Sequence, residues 1–473
     1  MEKNNLFKNT SMTVLSNLLS MIVSAMVILI VPKVISVTEY SYFQLYIFYI
    51  TYIGFFHFGW NDGIYLRYGG KYYAEIDKKK LFSQFYLSVL FQFIIVILIN
   101  LILNFLELAY PTDFIIRFTT IAMLINNSRG FLSLLLQATN KLLENSIITV
   151  SDKIYYFLAI IIYLMLGNKS FYGLIFADIL GKLLSLGYAC YVCKEVVFRN
   201  FREISFDFNE SFQNIRVGIN LMFATIASSL ITGFVKYAIE NQWRVEVFGQ
   251  VSLTLSISSL IMTFVNALGI AIFPVLRRTT SHQLRSFFEA LNWTLMPFLL
   301  GCLLIYYPIN IFVSIWLPNY SVTLEYMSIL FPIIVLEGKM SLMLNTYYKV
   351  LRMEQVLLKI NISAMVVSLI LTYISAYILK NLMLTIIVIP IVLFIRSTIA
   401  ELFLKSFYKL KFTNIYFEGF ISFIFIALNY YLDNMVLSAL IYFFTYVMYI
   451  TVNMKRIKGA VNNLNVILKI DRN

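Results

Sequence analysis

Charge is scarce in this sequence. Only 13% of its 473 residues are Asp, Glu, Lys or Arg, while 60% are apolar and 17% aromatic. Soluble domains carry roughly twice that share of charge, so the composition excludes ordinary water-facing domains, and the apolar excess excludes disorder. Histidine and cysteine are almost absent, with two and three residues. Three cysteines make no disulfide framework. Cys190 and Cys193 form a lone C-x-x-C at the end of an apolar segment; a zinc site needs a second ligand pair, and His57 and His282 lie far away in sequence, so the cysteines are expected to pack and no metal is expected. The phosphate-cradling G-x-x-x-x-G-K-[ST] is missing, because Gly70-Lys71, Gly181-Lys182 and Gly338-Lys339 all lack the following Ser or Thr. Neither H-E-x-x-H nor a G-x-S-x-G elbow occurs. No nucleotide motor, no cofactor and no enzyme are expected.

What the chain has in plenty is long apolar runs. They fall at about 10–31, 42–60, 81–106, 114–137, 143–166, 171–193, 215–239, 246–274, 288–314, 322–348, 357–379, 382–407, 414–432 and 435–454. Each is long enough to cross a bilayer, which takes ~20 mostly apolar residues. An all-α integral membrane protein of about 14 transmembrane helices is expected. Lys3 and Lys8 precede the first run, which is too long for a signal h-region and has no small-residue cleavage site after it, so it is expected to remain as the first span.

The net charge of +13 belongs to topology. A nucleic-acid partner would need Lys and Arg gathered on one soluble face, and here they are spread between apolar runs. With the N-terminus inside, 26 of the 37 basic residues fall on inner connections, adjoining helix ends and the two termini, against four outside: Lys33, Lys169, Arg244 and Lys380. The positive-inside rule then places both termini in the cytoplasm. Trp60, Trp243, Trp293 and Trp316 all fall near expected helix ends, where amphipathic rings favour the headgroup layer.

The longest connections are 61–80, with its Lys78-Lys79-Lys80 run, and the charged stretch 194–214. The second separates six spans from the next six. The expected organisation is a six-helix bundle over 1–193, a cytoplasmic linker over 194–214, a second bundle over 215–407, two extra helices over 408–454 and a basic tail over 455–473. A weak repeat links the halves: Val37-Thr38-Glu39-Tyr40-Ser41 opens the second span and Phe58-Gly59 closes it, while Val245-Glu246-Val247-Phe248-Gly249 opens the eighth and Leu268-Gly269 closes it. An even number of helices per half gives a parallel repeat, with a pseudo-two-fold along the membrane normal. Two such bundles with a cleft between them make a transporter that works by alternating access.

Seven basic residues lie within spans: Arg117, Arg129, Lys153, Lys182, Lys236, Lys339 and Arg396. Each costs about 2.5–3.5 kcal/mol at a helix centre, so each is expected to face protein or a water-filled cavity. Asp178 and Lys182 are four apart on one face and can neutralise each other. Asp152 points away from its neighbour Lys153. Arg117 and Lys236 sit near outer ends, where they can snorkel. Arg129, Lys153, Lys339 and Arg396 lie deeper and are the preferred substrate contacts, with Lys182, Lys236 and Arg117 as further candidates. Asp152, Asp178 and Glu337 are candidates for ion coupling. More cations than anions in a cavity suits an anionic substrate, and arginine grips phosphate with paired hydrogen bonds. Pro297, Pro332 and Pro390 are expected to interrupt helices nine, ten and twelve, freeing backbone groups that can line the cavity.

Several stretches resemble the Wzx-type oligosaccharide flippases of the polysaccharide biosynthesis (MOP) superfamily. They are Lys8-Asn9-Thr10, Pro32-Lys33-Val34 with Val37-Thr38-Glu39-Tyr40, Phe58-Gly59 to Tyr68, Leu136-Gln137-Ala138-Thr139-Asn140-Lys141, Val247-Phe248-Gly249-Gln250-Val251-Ser252 and Pro274-Val275-Leu276-Arg277-Arg278. They span nearly the whole chain and are structural punctuation, with no catalytic signature. The resemblance implies the fold shared with multidrug and toxic compound extrusion (MATE) transporters, in the bacterial inner membrane. It implies movement of an undecaprenyl-diphosphate-linked oligosaccharide from the inner to the outer leaflet, for O-antigen, capsule or exopolysaccharide assembly. Membrane lipids and polysaccharide polymerase machinery are the implied partners. The two extra helices fit the lipid-linked branch, where they help to form a groove for the polyisoprenyl tail. Val235 departs from the pattern, since similar sequences often carry an acid just before the basic residue that is Lys236 here. A cation-coupled multidrug or metabolite exporter of the same fold is the alternative, and it calls for an acidic, aromatic cavity. A membrane polymerase or ligase would need a sizeable outer loop, whereas the longest outer connection is about ten residues.

Overall fold

The computed structural model describes residues 2–205, 207–278, 281–410 and 415–470, and among these every regular element is helical. The helices form two compact units, Met1–Ile226 and Ala227–Asn473. The first contains α1 (Glu2–Val34), α2 (Val37–Tyr52), α3 (Trp60–Tyr68), α4 (Lys78–Leu106), α5 (Thr112–Ala138), α6 (Leu142–Met165), α7 (Phe171–Val192), the short α8 (Lys194–Val197) and the first half of α9 (Phe208–Gln242). The second contains the rest of α9, then α10 (Val245–Arg278), α11 (Ser281–Cys302), α12 (Tyr306–Trp316), α13 (Ser321–Leu330), α14 (Ile333–Lys339), α15 (Asn345–Val350), α16 (Glu354–Tyr373), α17 (Leu382–Tyr408), α18 (Ile415–Tyr431) and α19 (Met435–Ile470). The chain thus passes from one unit to the other inside α9, beyond the expected linker over 194–214.

Each of the fourteen apolar runs falls on one helix or a short series of helices; residue 414, where the thirteenth starts, and the tail residues 471–473 lie outside the described residues. Among the described residues nine helices are long and apolar enough to cross a membrane, or ten if the bent pair α13–α15 counts as one span. Lipid contact is written on their exposed faces: α4 leaves Phe93, Ile94, Ile97, Leu98 and Leu101 uncovered, and α19 leaves Phe444, Met448 and Val452. The 27-residue α5 is absent from the nine because it carries Asp113, Arg117, Asn126, Asn127, Ser128 and Arg129. It can afford them because it packs against α2, α3, α4, α6 and α7, at the centre of its unit. In the second unit α14 has that place, against α10, α11 and α17, while α18 and α19 pack on α13 and α11.

Local punctuation explains the motifs. Ser36 caps α2 by accepting the Glu39 N–H at 3.2 Å, half of a capping box. The Glu39 carboxylate accepts the Phe171 N–H at 2.6 Å, at the start of α7. Val37-Thr38-Glu39 is therefore a joint between two helices. Asp77 caps α4 and Asn381 caps α17 in the same way. Pro332 separates α13 from α14, which meet at 44°. Pro297 and Pro390 correct the expectation: they lie inside α11 and α17, which continue past them. A π-helical stretch, Met340–Leu344, follows directly on Lys339.

The second span is also broken, which its even hydropathy hides. After α2 come a 3₁₀ turn (Ile53–His57) and two left-handed residues, Phe58 (φ 50°) and Gly59 (φ 82°). Non-helical backbone at membrane depth needs partners. Asn127 donates to Ile53 O at 3.0 Å, Gln92 donates to Phe56 O at 2.8 Å, and Asn127 also donates to Gln92 at 2.9 Å. His57 Nδ1 accepts the Gly59 N–H at 3.0 Å. Beyond the break, α3 crosses α9 with backbone against backbone. A Cβ at Gly63 would stand 1.9 Å from Asn214 O, and one at Gly218 would stand 2.0 Å from Gly59 O. Neither neighbour is a side chain that could turn away. Gly63→Ala and Gly218→Ala must therefore push α3 off α9, and each is expected to lower unfolding free energy by about 1–3 kcal/mol. Thermal melting of the detergent-solubilised protein reads this, and two alanine variants melting with the parent would show that the crossing is looser.

The connection 194–214 is not free. Glu195 pairs with Lys78, whose hydrogen bond and charge hold that carboxyl below the ordinary range, so the tie persists at neutral pH. Arg199 pairs with Glu203 at 2.9 Å. Cys193 is buried in an apolar core with Trp60, Ile64, Phe131 and Val196, and Cys190 packs against it.

Candidate functional site

Most of the intramembrane charges named from the sequence gather in one cluster per unit. In the first, α5, α6 and α7 bring five of them together. Arg129 on α5 pairs with Asp152 on α6 at 2.7 Å, and also donates to Asn126 at 2.9 Å and Ser185 at 3.4 Å. Lys182 pairs with Asp178 one turn back on α7, and the other oxygen of Asp178 accepts the Tyr46 hydroxyl at 2.7 Å. Lys153 lies close enough to interact electrostatically with Asp152, Asp178, Lys182 and Arg129, yet it forms no ion pair and no hydrogen bond with any described residue. Three basic side chains therefore stand with two acidic ones, and Lys153 is the one without a paired carboxylate among the described residues. An uncompensated charge at membrane depth needs water or a ligand anion.

In the second unit the charges balance. Lys339, at the end of α14, is held between Glu401 of α17 and Glu418 of α18. Lys405 pairs with Glu401 one turn away, and Asn292 of α11 donates to Glu401 at 3.4 Å. Arg396 of α17 pairs with Glu337 of α14 at 2.8 Å and donates to Ser228 of α9 at 2.9 Å. Three carboxylates thus match three cations, almost all buried. A cavity of about 10 Å³, bounded by Lys339, Glu401, Glu418, Thr398 and Ser422, has room for about one water. The remaining candidates lie apart. Arg117 is partly exposed and binds Asp113 at 2.7 Å and Asn104 at 2.9 Å, and Lys236 lies over the Phe248 ring at 5.1 Å.

Every candidate from the sequence is thereby placed. The structure joins Arg129 to Asp152, Lys182 to Asp178 and Arg396 to Glu337, and leaves Lys153 open. Lys339 and Arg396, expected as ligand contacts, have protein carboxylates for partners. Lys405, counted with the inner-face anchors, is buried. Sequence reading misses Tyr46 and Glu418, and the buried place of Lys405. Lys405 could have been found from its four-residue spacing to Glu401; Glu418 and Tyr46 could not, because their partners lie 79 and 132 positions away. Among the described residues no group of three or more His, Cys, Asp or Glu could hold a metal ion.

Helical units of this kind, each with a buried charge cluster, define a multi-pass membrane protein, and solved structures fix the fold. The lipid II flippase MurJ, in an inward closed conformation, superposes with a TM-score of 0.66 at 12% identity, over 95% of this chain and 99% of that one. An inward-facing multidrug-resistance MATE transporter of the MOP superfamily gives 0.60 at 12% identity, over 83% and 98%. A MOP-superfamily transporter from Pyrococcus furiosus, described by the reversed polarity of its binding pocket, gives 0.52 at 14% identity, over 86% and 97%. These likenesses show the MATE-like fold expected from the sequence. Residues 6–280, more than half of the chain, match the polysaccharide biosynthesis protein family, and the chain belongs to that family. No curated protein matches it by sequence.

Proposed function

We propose that this protein is a flippase that moves an undecaprenyl-diphosphate-linked oligosaccharide from the inner to the outer leaflet of a bacterial cytoplasmic membrane, for surface polysaccharide assembly. The observation that carries the proposal is that the first cluster has one basic side chain more than it has acids, Lys153, which pairs with no carboxylate among the described residues, in a chain whose family is polysaccharide biosynthesis. A diphosphate supplies the anion that Lys153 lacks, and Arg129 and Lys182 stand beside it. The similarity in fold to a lipid II flippase supports a lipid-linked substrate. Alternating access of the bundles over 1–193 and 215–407, with both termini cytoplasmic and no chemical step, completes the account. A proton-coupled exporter of lipophilic cations fits less well, because the cluster in the first unit has the wrong sign for a cation.

Deleting the gene in its own host tests this. Lipid-linked oligosaccharide should accumulate on the cytoplasmic leaflet and surface polysaccharide should fall, with both restored by the gene on a plasmid. Normal surface polysaccharide in a strain without a redundant flippase would rule the proposal out.

A further inference from the structure

The end of the first unit that the charge bias assigns to the cytoplasm holds a second arrangement, outside the membrane-depth cluster. Glu210, on the first turn of α9, is buried, and both its oxygens are taken by cations from the connection after the second span. Arg67 reaches Oε1 at 2.8 Å and donates to Oε2 at 3.1 Å, and Lys80 reaches Oε2 at 2.7 Å. Arg67 also donates to Asn214 and, at 3.1 Å, to Gln213. Beside them opens a cleft of about 330 Å³, bounded further by Tyr68, Lys71, Glu75 and Asp77. Lys71 is exposed, lies over the Tyr68 ring at 5.2 Å and pairs with no carboxylate among the described residues. The two other acids are turned to backbone: Asp77 caps α4 through the Lys80 N–H at 3.0 Å, and Glu75 accepts the Tyr72 N–H at 3.4 Å.

One carboxylate gripped by an arginine fork and a lysine, with another lysine uncommitted across an open cleft, is the geometry by which proteins hold phosphate. Glu210 brings one negative charge to this cradle; a diphosphate brings more, and more acceptor oxygens. We infer that Arg67, Lys71 and Lys80 form a phosphate-binding site in which Glu210 is an internal stand-in, displaced when a diphosphate group arrives. The exchange acts on α9. Glu210 loses both its partners, and the first turns of α9 stay held by the glycine crossing, by the bonds from Ser211 (3.1 Å) and Asn214 (3.2 Å) to Gln84, by the Gln84 bond to Asp207 O at 3.3 Å and by the packing of Ile215. That the diphosphate is a lipid headgroup rests on the function proposed above; the site itself does not.

The test is the binding of inorganic pyrophosphate to the purified full-length protein by titration calorimetry, at one fixed ionic strength. Glu210→Gln keeps the shape and one acceptor oxygen while removing the competing charge. It should tighten pyrophosphate binding about tenfold, the worth of a hydrogen bond to a charged group. Lys71→Gln, at an exposed position that folding does not need, should weaken binding by a similar factor, as should Arg67→Gln if it folds. Unchanged or weaker binding in Glu210→Gln would make Glu210 a structural tie only and overturn the inference. A parallel titration uses nanodiscs containing undecaprenyl diphosphate. The same order of variants there, with no response to free pyrophosphate, upholds the site and identifies the lipid as its source. No binding of either probe by any variant overturns it. Tightened pyrophosphate binding in a protein that flips no lipid would leave the site standing and remove the flippase.

Discussion

Lys339→Met destabilises the second unit by about 3–5 kcal/mol, the cost of removing one member of a buried ion cluster. Lys339 is 4% exposed and is the shared partner of Glu401 and Glu418. Without it Glu401 still has Lys405, but buried Glu418 loses its ion-pair partner, since Lys405 is paired with Glu401. Lys339→Met combined with Glu418→Gln should recover much of the loss, because the pair that remains is balanced. Unfolding of the detergent-solubilised variants measures both. The alternative, in which Lys339 contacts substrate, predicts a variant that folds as well as the parent and transports poorly. Equal stability of Lys339→Met and parent would decide for that alternative. Because Glu418 stands on α18, the same experiment reads how firmly the extra helices are fastened to their unit.

Lys153→Met is expected to do the opposite, abolishing most transport while leaving the fold intact. Lys153 has no carboxylate to orphan, so its removal relieves the surplus charge of the cluster. A lost hydrogen bond between charged groups is worth about 1.5–3 kcal/mol, so the flipping rate should fall by roughly 10- to 100-fold. Arg129→Met is the control: it breaks the ion pair that joins α5 to Asp152 of α6, and its loss of activity should come with loss of stability. A Lys153→Met protein that flips at the parental rate would remove Lys153 from the site.

The two predictions differ because sequence and structure speak to different ranges of contact. Hydropathy placed the helices, since spans need only local apolarity, and α5 was recognisable despite its polar side chains. Four-residue spacing made Asp178–Lys182 legible, and the same spacing joins Glu401 to Lys405. The partners of Lys339 and Arg129 come from other helices, and no local pattern announces them. For that reason the deep cations look alike in sequence, while in the structure most are compensated and one is not. The break in the second span was hidden for the same cause. Phe58 and Gly59 adopt left-handed backbone at a place where Asn127 and Gln92, from α5 and α4, accommodate the freed carbonyls. Two of the motifs that carried the family resemblance are a cap and a close crossing: Ser36 with Glu39, and Gly59 against α9.

The central claim is translocation of a lipid-linked anion. Its most direct test is the purified protein reconstituted in vesicles loaded on the inner leaflet with a fluorescently labelled undecaprenyl-diphosphate oligosaccharide. A membrane-impermeant quencher reports the fraction that reaches the outer leaflet. The account predicts transfer that protein-free vesicles lack and that Lys153→Met largely loses. Vesicles that retain the label inside while the same protein drives proton-coupled efflux of lipophilic cations would contradict it.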